Sequence, residues 1–169
     1  MHFGTRDETH PSLISPESPS YERAWHEFAH PSSAAVHPGV IALLARLSEA
    51  EQNAAQVCLT LTEAIDGHPM VAVLRDRATV HDARRHALGK LIEQLGGSAP
   101  NDAECRDILA RAYDEARGVD SVAGAKRVLQ VLNHDLRAEY DSALQNKQLE
   151  PAQRSALAGL APPELPAGA

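Results

Sequence analysis

The chain has 169 residues, 43% of them apolar, yet only one Trp, three Tyr and two Phe, so Ala and Leu supply most of the apolar content. That length fits one domain with tails, and Ala and Leu without alternating Val, Ile and Thr runs predict helices rather than strands. A formal net charge of −7 argues against a basic nucleic-acid surface, and no run reaches the ~18 apolar residues of a membrane span.

Residues 1–36 are rich in Pro, Ser and His and hold no sustained period, which predicts a disordered tail. Met1 to Glu8 lacks an apolar core, so no secretory signal is read there. One stretch of the tail differs, the segment at 20–30. Tyr21, Trp25 and Phe28 fall at i, i+4 and i+7, one face of a short amphipathic helix with Ser20 as its cap. Two roles are open to it: docking on the chain's own bundle, or capture by a protein partner or a second copy.

Residues 37–160 carry the helical pattern. The first long helix is predicted from Pro38 to Asp66, with Ile41, Leu44, Leu47, Glu51, Ala54, Cys58, Leu61 and Ile65 spaced alternately three and four. That is the repeat of a bundle seam. Asp66-Gly67-His68-Pro69 makes the turn, since glycine permits a left-handed residue and proline suits a first helical position. A second helix follows from Pro69 to Leu95, with Met70, Leu74, Ala78, His81, Arg85, Leu88, Ile92 and Leu95 on its stripe, and Leu95-Gly96-Gly97 closes it. A third helix is predicted from a cap at Asn101 or Asp102 to Arg117, with Cys105, Ile108, Leu109, Ala112 and Ala116 inward. Asp120 or Ser121 opens a fourth with Val122, Ala125, Leu129, Leu132, Leu136, Tyr140 and Ala143 inward. Glu150-Pro151 starts a short fifth helix to about Leu160, and residues 161–169 read as a second disordered tail. Short loops between four amphipathic helices predict an up-down-up-down four-helix bundle. Cys58 and Cys105 lack metal or redox spacing, so both are read as core thiols of a reduced, cytoplasmic chain.

The long hairpin ending in Leu-Gly-Gly, the shorter third helix, and Val128-Leu129-Gln130-Val131-Leu132-Asn133-His134-Asp135 leading into Tyr140-Asp141-Ser142-Ala143-Leu144 resemble a bacterial ferritin-like family of unknown function. The resemblance covers about residues 38–158. It implies an all-α, ferritin-like bundle related by fold to ferritin and rubrerythrin, and no more than the possibility of a metal.

A di-iron carboxylate bundle takes a Glu from each of two helices and a Glu-x-x-His from each of the other two. Here His81 is preceded at i−3 by Ala78, His86 by Ala83 and His134 by Val131, so the ferroxidase motif is absent. What interrupts the apolar stripes is Glu51 and His81. In a hairpin folded at Gly67 they stand about sixteen and about fourteen residues from the turn, a height difference of ~3 Å at ~1.5 Å per residue. Arg85 is expected beside them. Charges on a core stripe are costly unless paired, so a Glu51–Arg85 or Glu51–His81 pair that fixes helix register is one reading. A degenerate site in which Glu51 and His81 hold iron or another divalent metal is the other. Asp82 with His86, and His134 with Asp135, read as solvated pairs, and Thr60 and Thr62 have no nucleophile-activating partners.

Together these features predict a non-catalytic ferritin-like bundle acting through protein contacts, without a cofactor, its partner or second copy held by Tyr21, Trp25 and Phe28. A stress-associated protein whose assembly depends on the N-terminal segment is a further reading. The alternative is a ferritin-like metal-binding or redox protein with a degenerate di-iron site.

Overall fold

The structure is a computed structural model that describes residues 38–98 and 109–163. The aromatic segment at 20–30, the tail of 1–36, the predicted cap at Asn101 or Asp102, Cys105, Ile108 and residues 164–169 lie outside them. Five helices account for the regular structure, with no strand among the described residues: α1 (Pro38–Ala64), α2 (Met70–Gln94), α3 (Ala110–Arg117), α4 (Val122–Leu144) and α5 (Pro151–Leu160).

α1 is the element that α2, α3 and α4 share. It pairs along its length with α2 and also touches α3 and α4, while α4 touches α3 and α5. The alternating three-and-four spacing explains this, because it gives α1 a continuous apolar stripe. Leu44, Leu47, Ala54, Cys58 and Leu61 are buried along it. Leu74, Ala78, Leu88 and Ile92 of α2 meet them, and Ala125, Leu129, Leu132, Leu136, Tyr140 and Ala143 of α4 complete the interior.

The two turns of the hairpin form as their residues demand. Gly67 takes φ +76°, with its N–H donating to Asp66 Oδ1 at 2.9 Å. His68 Nδ1 accepts from the Met70 N–H at 3.1 Å, so the helix begins at Met70, one residue after the predicted proline. At the far end, Gly96 also sits at φ +76°. Its N–H donates to Glu93 O and that of Gly97 to Ile92 O, both at 2.9 Å. These are the paired bonds of a Schellman closure.

The third helix departs from expectation. Its described part starts at Ala110, and the predicted cap near 101 lies outside the described residues; Leu109, just before α3, stands in the left-handed region at φ 64°, which interrupts any helical run at that point. Its side chain is nonetheless buried, as are Ala112 and Ala116. Ser121 caps α4, its Oγ accepting from the Gly124 N–H at 3.2 Å. The last helix is tied back by arginines. Arg154 donates to the carbonyls of Leu144 and Asn146 at the end of α4, and Arg137 donates to Pro162 O at 2.8 Å. No described helix is long and apolar enough to cross a membrane.

Candidate functional site

Each of the three long helices contributes one polar side chain to a single point in the core. Glu51 lies on the α1 stripe between Leu47 and Ala54, and nothing of it reaches solvent. His81, at the matching height of α2, is 5% exposed. Tyr140 comes from the last turns of α4 and is fully buried. The near-equal spacing of Glu51 and His81 from the Gly67 turn brings them together, as the sequence predicts, and the apolar stripe of α4 delivers Tyr140.

The carboxylate is shared between them. His81 Nδ1 lies 2.6 Å from Glu51 Oε2, and the Tyr140 hydroxyl donates to Glu51 Oε1 at 2.7 Å. An ionised carboxylate only accepts, so the Nδ1–H tautomer is the one this contact requires. A charged group in the interior costs several kcal/mol unless neighbours replace the water it has lost. Here a phenol and an imidazole do so, and a guanidinium stands behind them: Arg84 Nη1 is 3.9 Å from Glu51 Oε1, beyond hydrogen-bond reach.

The cation beside Glu51 is therefore Arg84, not the predicted Arg85. Arg85 turns to Asp82 instead, Nε to Oδ1 at 3.1 Å. Both residues are within one turn of His81, and the i+3 and i+4 positions flank the same helix face. Tyr140 is placed inward by its stripe, but its role as a hydrogen-bond donor to Glu51 is not predicted from sequence. The signal that could find it is the phenol itself, since a buried tyrosine hydroxyl needs an acceptor.

The other polar candidates do not join this cluster. Asp82 and His86 meet on the exposed side of α2 at 3.4 Å, and Asp135 pairs with Arg111 of α3 at 3.1 Å. The Thr62 hydroxyl donates to its own helix at Leu59 O. Cys58 is buried one face away, and burial pushes its thiol up to about 11, with Arg77 opposing and Glu51 reinforcing the rise. Among the described residues, no three His, Cys, Asp or Glu side chains are grouped so as to hold a metal ion. One carboxylate, one imidazole and an adjacent guanidinium fall short of the ligand set of a di-metal bundle.

No family model, curated protein or solved structure matches the chain.

Proposed function

We propose that the chain is a non-catalytic helical bundle of the ferritin-like, up-down-up-down type that acts through protein contacts. In it, Glu51, His81 and Tyr140 lock the register of three helices. One observation carries this reading: both oxygens of Glu51 are taken up by the chain's own donors, at 2.6 and 2.7 Å. A carboxylate so committed is a poor metal ligand, because binding a cation would orphan Tyr140 and His81 and set a second positive charge beside Arg84. Partner or self-association through Tyr21, Trp25 and Phe28 is the contact assigned to the chain.

Elemental analysis of untagged protein, with a ferrous oxidation assay, tests the reading. The outcome expected is no stoichiometric metal and no oxidation of ferrous iron above the buffer rate. Stoichiometric iron with accelerated oxidation, both lost in Glu51→Ala, would overturn it and install a degenerate di-iron site at Glu51 and His81.

A further inference from the structure

One face of α2 carries an apolar stripe that is buried over only half its length. Val73, Val80, Ala87 and Leu91 fall at i, i+7, i+14 and i+18, a single line along the helix. Ala87 and Leu91 are buried, whereas Val73 and Val80 are 49% and 42% exposed. Leu59 on α1 and Tyr113 on α3 are the other exposed large apolar side chains among the described residues, so only the two valines share a helix. α2 packs on α1 and makes no comparable contact with α3, α4 or α5 among the described residues. The end of the stripe nearer the Gly67 turn is therefore an apolar surface without a helix against it.

The aromatic segment of the tail matches that surface in period and in charge. Val73 and Val80 are seven residues apart, about 10 Å at ~1.5 Å rise. Tyr21 and Phe28 have the same separation, with Trp25 between them, in the helix that their spacing predicts. α2 holds five basic residues (Arg75, Arg77, Arg84, Arg85 and Lys90) against three acidic ones, in a chain of net charge −7. The tail of 1–36 holds five acidic residues against two basic, with Glu22 and Glu27 inside the aromatic segment.

Chain length favours the tail of a second copy over the chain's own. Gly97 packs against Ile41, so the end of α2 stands level with the start of α1. Val80 lies fourteen residues before Gln94, about 21 Å down the hairpin at ~1.5 Å per residue. The nine residues 29–37 join Phe28 to Pro38. As a relaxed coil they span about 15–18 Å, less than that drop, and they reach Val80 only when pulled nearly straight, at about 30 Å. Exchange between two copies relieves the tension and closes as a two-fold dimer, each tail on the other's α2. Six rings at ~150–250 Å² each remove about 900–1,500 Å² from water, before the α2 surface is counted. A stable interface takes about 1,200–2,000 Å² in all.

We propose that Val73 and Val80 of α2 receive the N-terminal aromatic segment, Tyr21, Trp25 and Phe28, of a second copy of the chain, in a reciprocal homodimer. This placement rests on the reading of the segment as the contact through which the bundle acts, and it adds the surface and the partner.

The test is sedimentation equilibrium of the full chain, read together with the emission of Trp25, the only tryptophan. A dimer is expected. Val73→Glu with Val80→Glu, at exposed positions that the fold does not need, should weaken it at least tenfold and shift Trp25 emission to the red, while Leu59→Glu leaves it within twofold. Circular dichroism confirms that each variant keeps its helices. A mixture of the valine double variant with a Tyr21→Ala, Trp25→Ala, Phe28→Ala variant should restore a heterodimer, since one intact tail then meets one intact α2. A chain that is monomeric at every concentration overturns the proposal, and a valine-dependent Trp25 shift in that monomer would make the docking intramolecular. A dimer lost with the three rings but indifferent to both valines overturns the surface while the segment remains the contact. A dimer indifferent to rings and valines alike overturns both.

Discussion

Tyr140 and Glu51 stand 89 positions apart in the chain, and the hydroxyl of one donates to the carboxylate of the other at 2.7 Å. That bond joins α4 to α1 at the level where His81 joins α2 to α1. A polar group in an apolar interior penalises any slide of one helix past another, since a shift of one turn would leave the carboxylate without donors.

Tyr140→Phe should therefore destabilise the chain by about 1–3 kcal/mol, the cost of leaving a buried acceptor short of a donor. In a Glu51→Met background the same change removes a hydroxyl that has lost its acceptor, and it should be neutral or stabilising. Urea denaturation of the four proteins in the cycle measures the coupling, about 0.5–3 kcal/mol for groups in direct contact. Equal costs in both backgrounds would mean the bond contributes nothing to register.

How much of this was legible depends on which residues set the geometry. The stripe of α1 and the turn at Gly67 are local features, so Glu51 and His81 could be paired by counting from the turn. Leu44, Leu47, Leu61, Leu74, Leu88, Leu129, Leu132 and Leu136, all predicted inward, are buried. Tyr140 could be placed inward but not at a height, because no short turn ties α4 to the hairpin. Arg84 and Arg85 are neighbours on a helix wheel, and a rotation of the stripe by one position decides between them. The left-handed Leu109 was hidden for another reason: Asn101 and Asp102 offer a good cap signal, whereas a leucine at positive φ has none.

The Leu-Gly-Gly closure makes a second prediction. Gly96→Ala forces a Cβ into the left-handed region, at a cost of about 1–2 kcal/mol. Gly97→Ala meets something harder. A Cβ there would lie 2.8 Å from Ile92 Cγ2 and 2.9 Å from Ile41 Cγ2, where the end of α2 crosses the start of α1. Overpacking of that kind costs about 1–3 kcal/mol. Thermal unfolding of both variants checks the pair. A Gly97→Ala protein as stable as the wild type would show that the two helix ends are not held together.

Cys58 supplies a pH dependence. Burial raises its thiol from 9.0 to about 11 in the folded chain, so between those values the native state holds a proton that the unfolded state has released. Stability is then fully present below pH 9 and falls as pH rises towards 11, by at most ~1.4 kcal/mol per pH unit. Lysines and tyrosines titrate in the same range, so the slope is to be read as the difference between wild type and Cys58→Ala. The variant should lack this component, and identical slopes in the two proteins would place the thiol in contact with water. At neutral pH the same thiol should resist alkylation until the chain is unfolded.

The final prediction concerns Tyr21, Trp25 and Phe28, which lie outside the described residues. Three rings at i, i+4 and i+7 are a large apolar payload for a polar stretch, and a helix of about ten residues is marginal alone in water. Such a segment gains most by burying its rings against another surface. The interior of the described helices is already filled by their own leucines and by Tyr140, so the bundle has little need of a further helix to close it. Deleting residues 1–36 should consequently change stability by less than about 0.5 kcal/mol, a shift of roughly 1–3 °C in Tm, while abolishing self-association or partner capture. Native mass and thermal unfolding, measured on the truncated and full chains, separate the two roles. A truncated protein that melts many degrees lower at unaltered native mass would make the segment an intramolecular staple and would remove it as the contact through which the bundle acts.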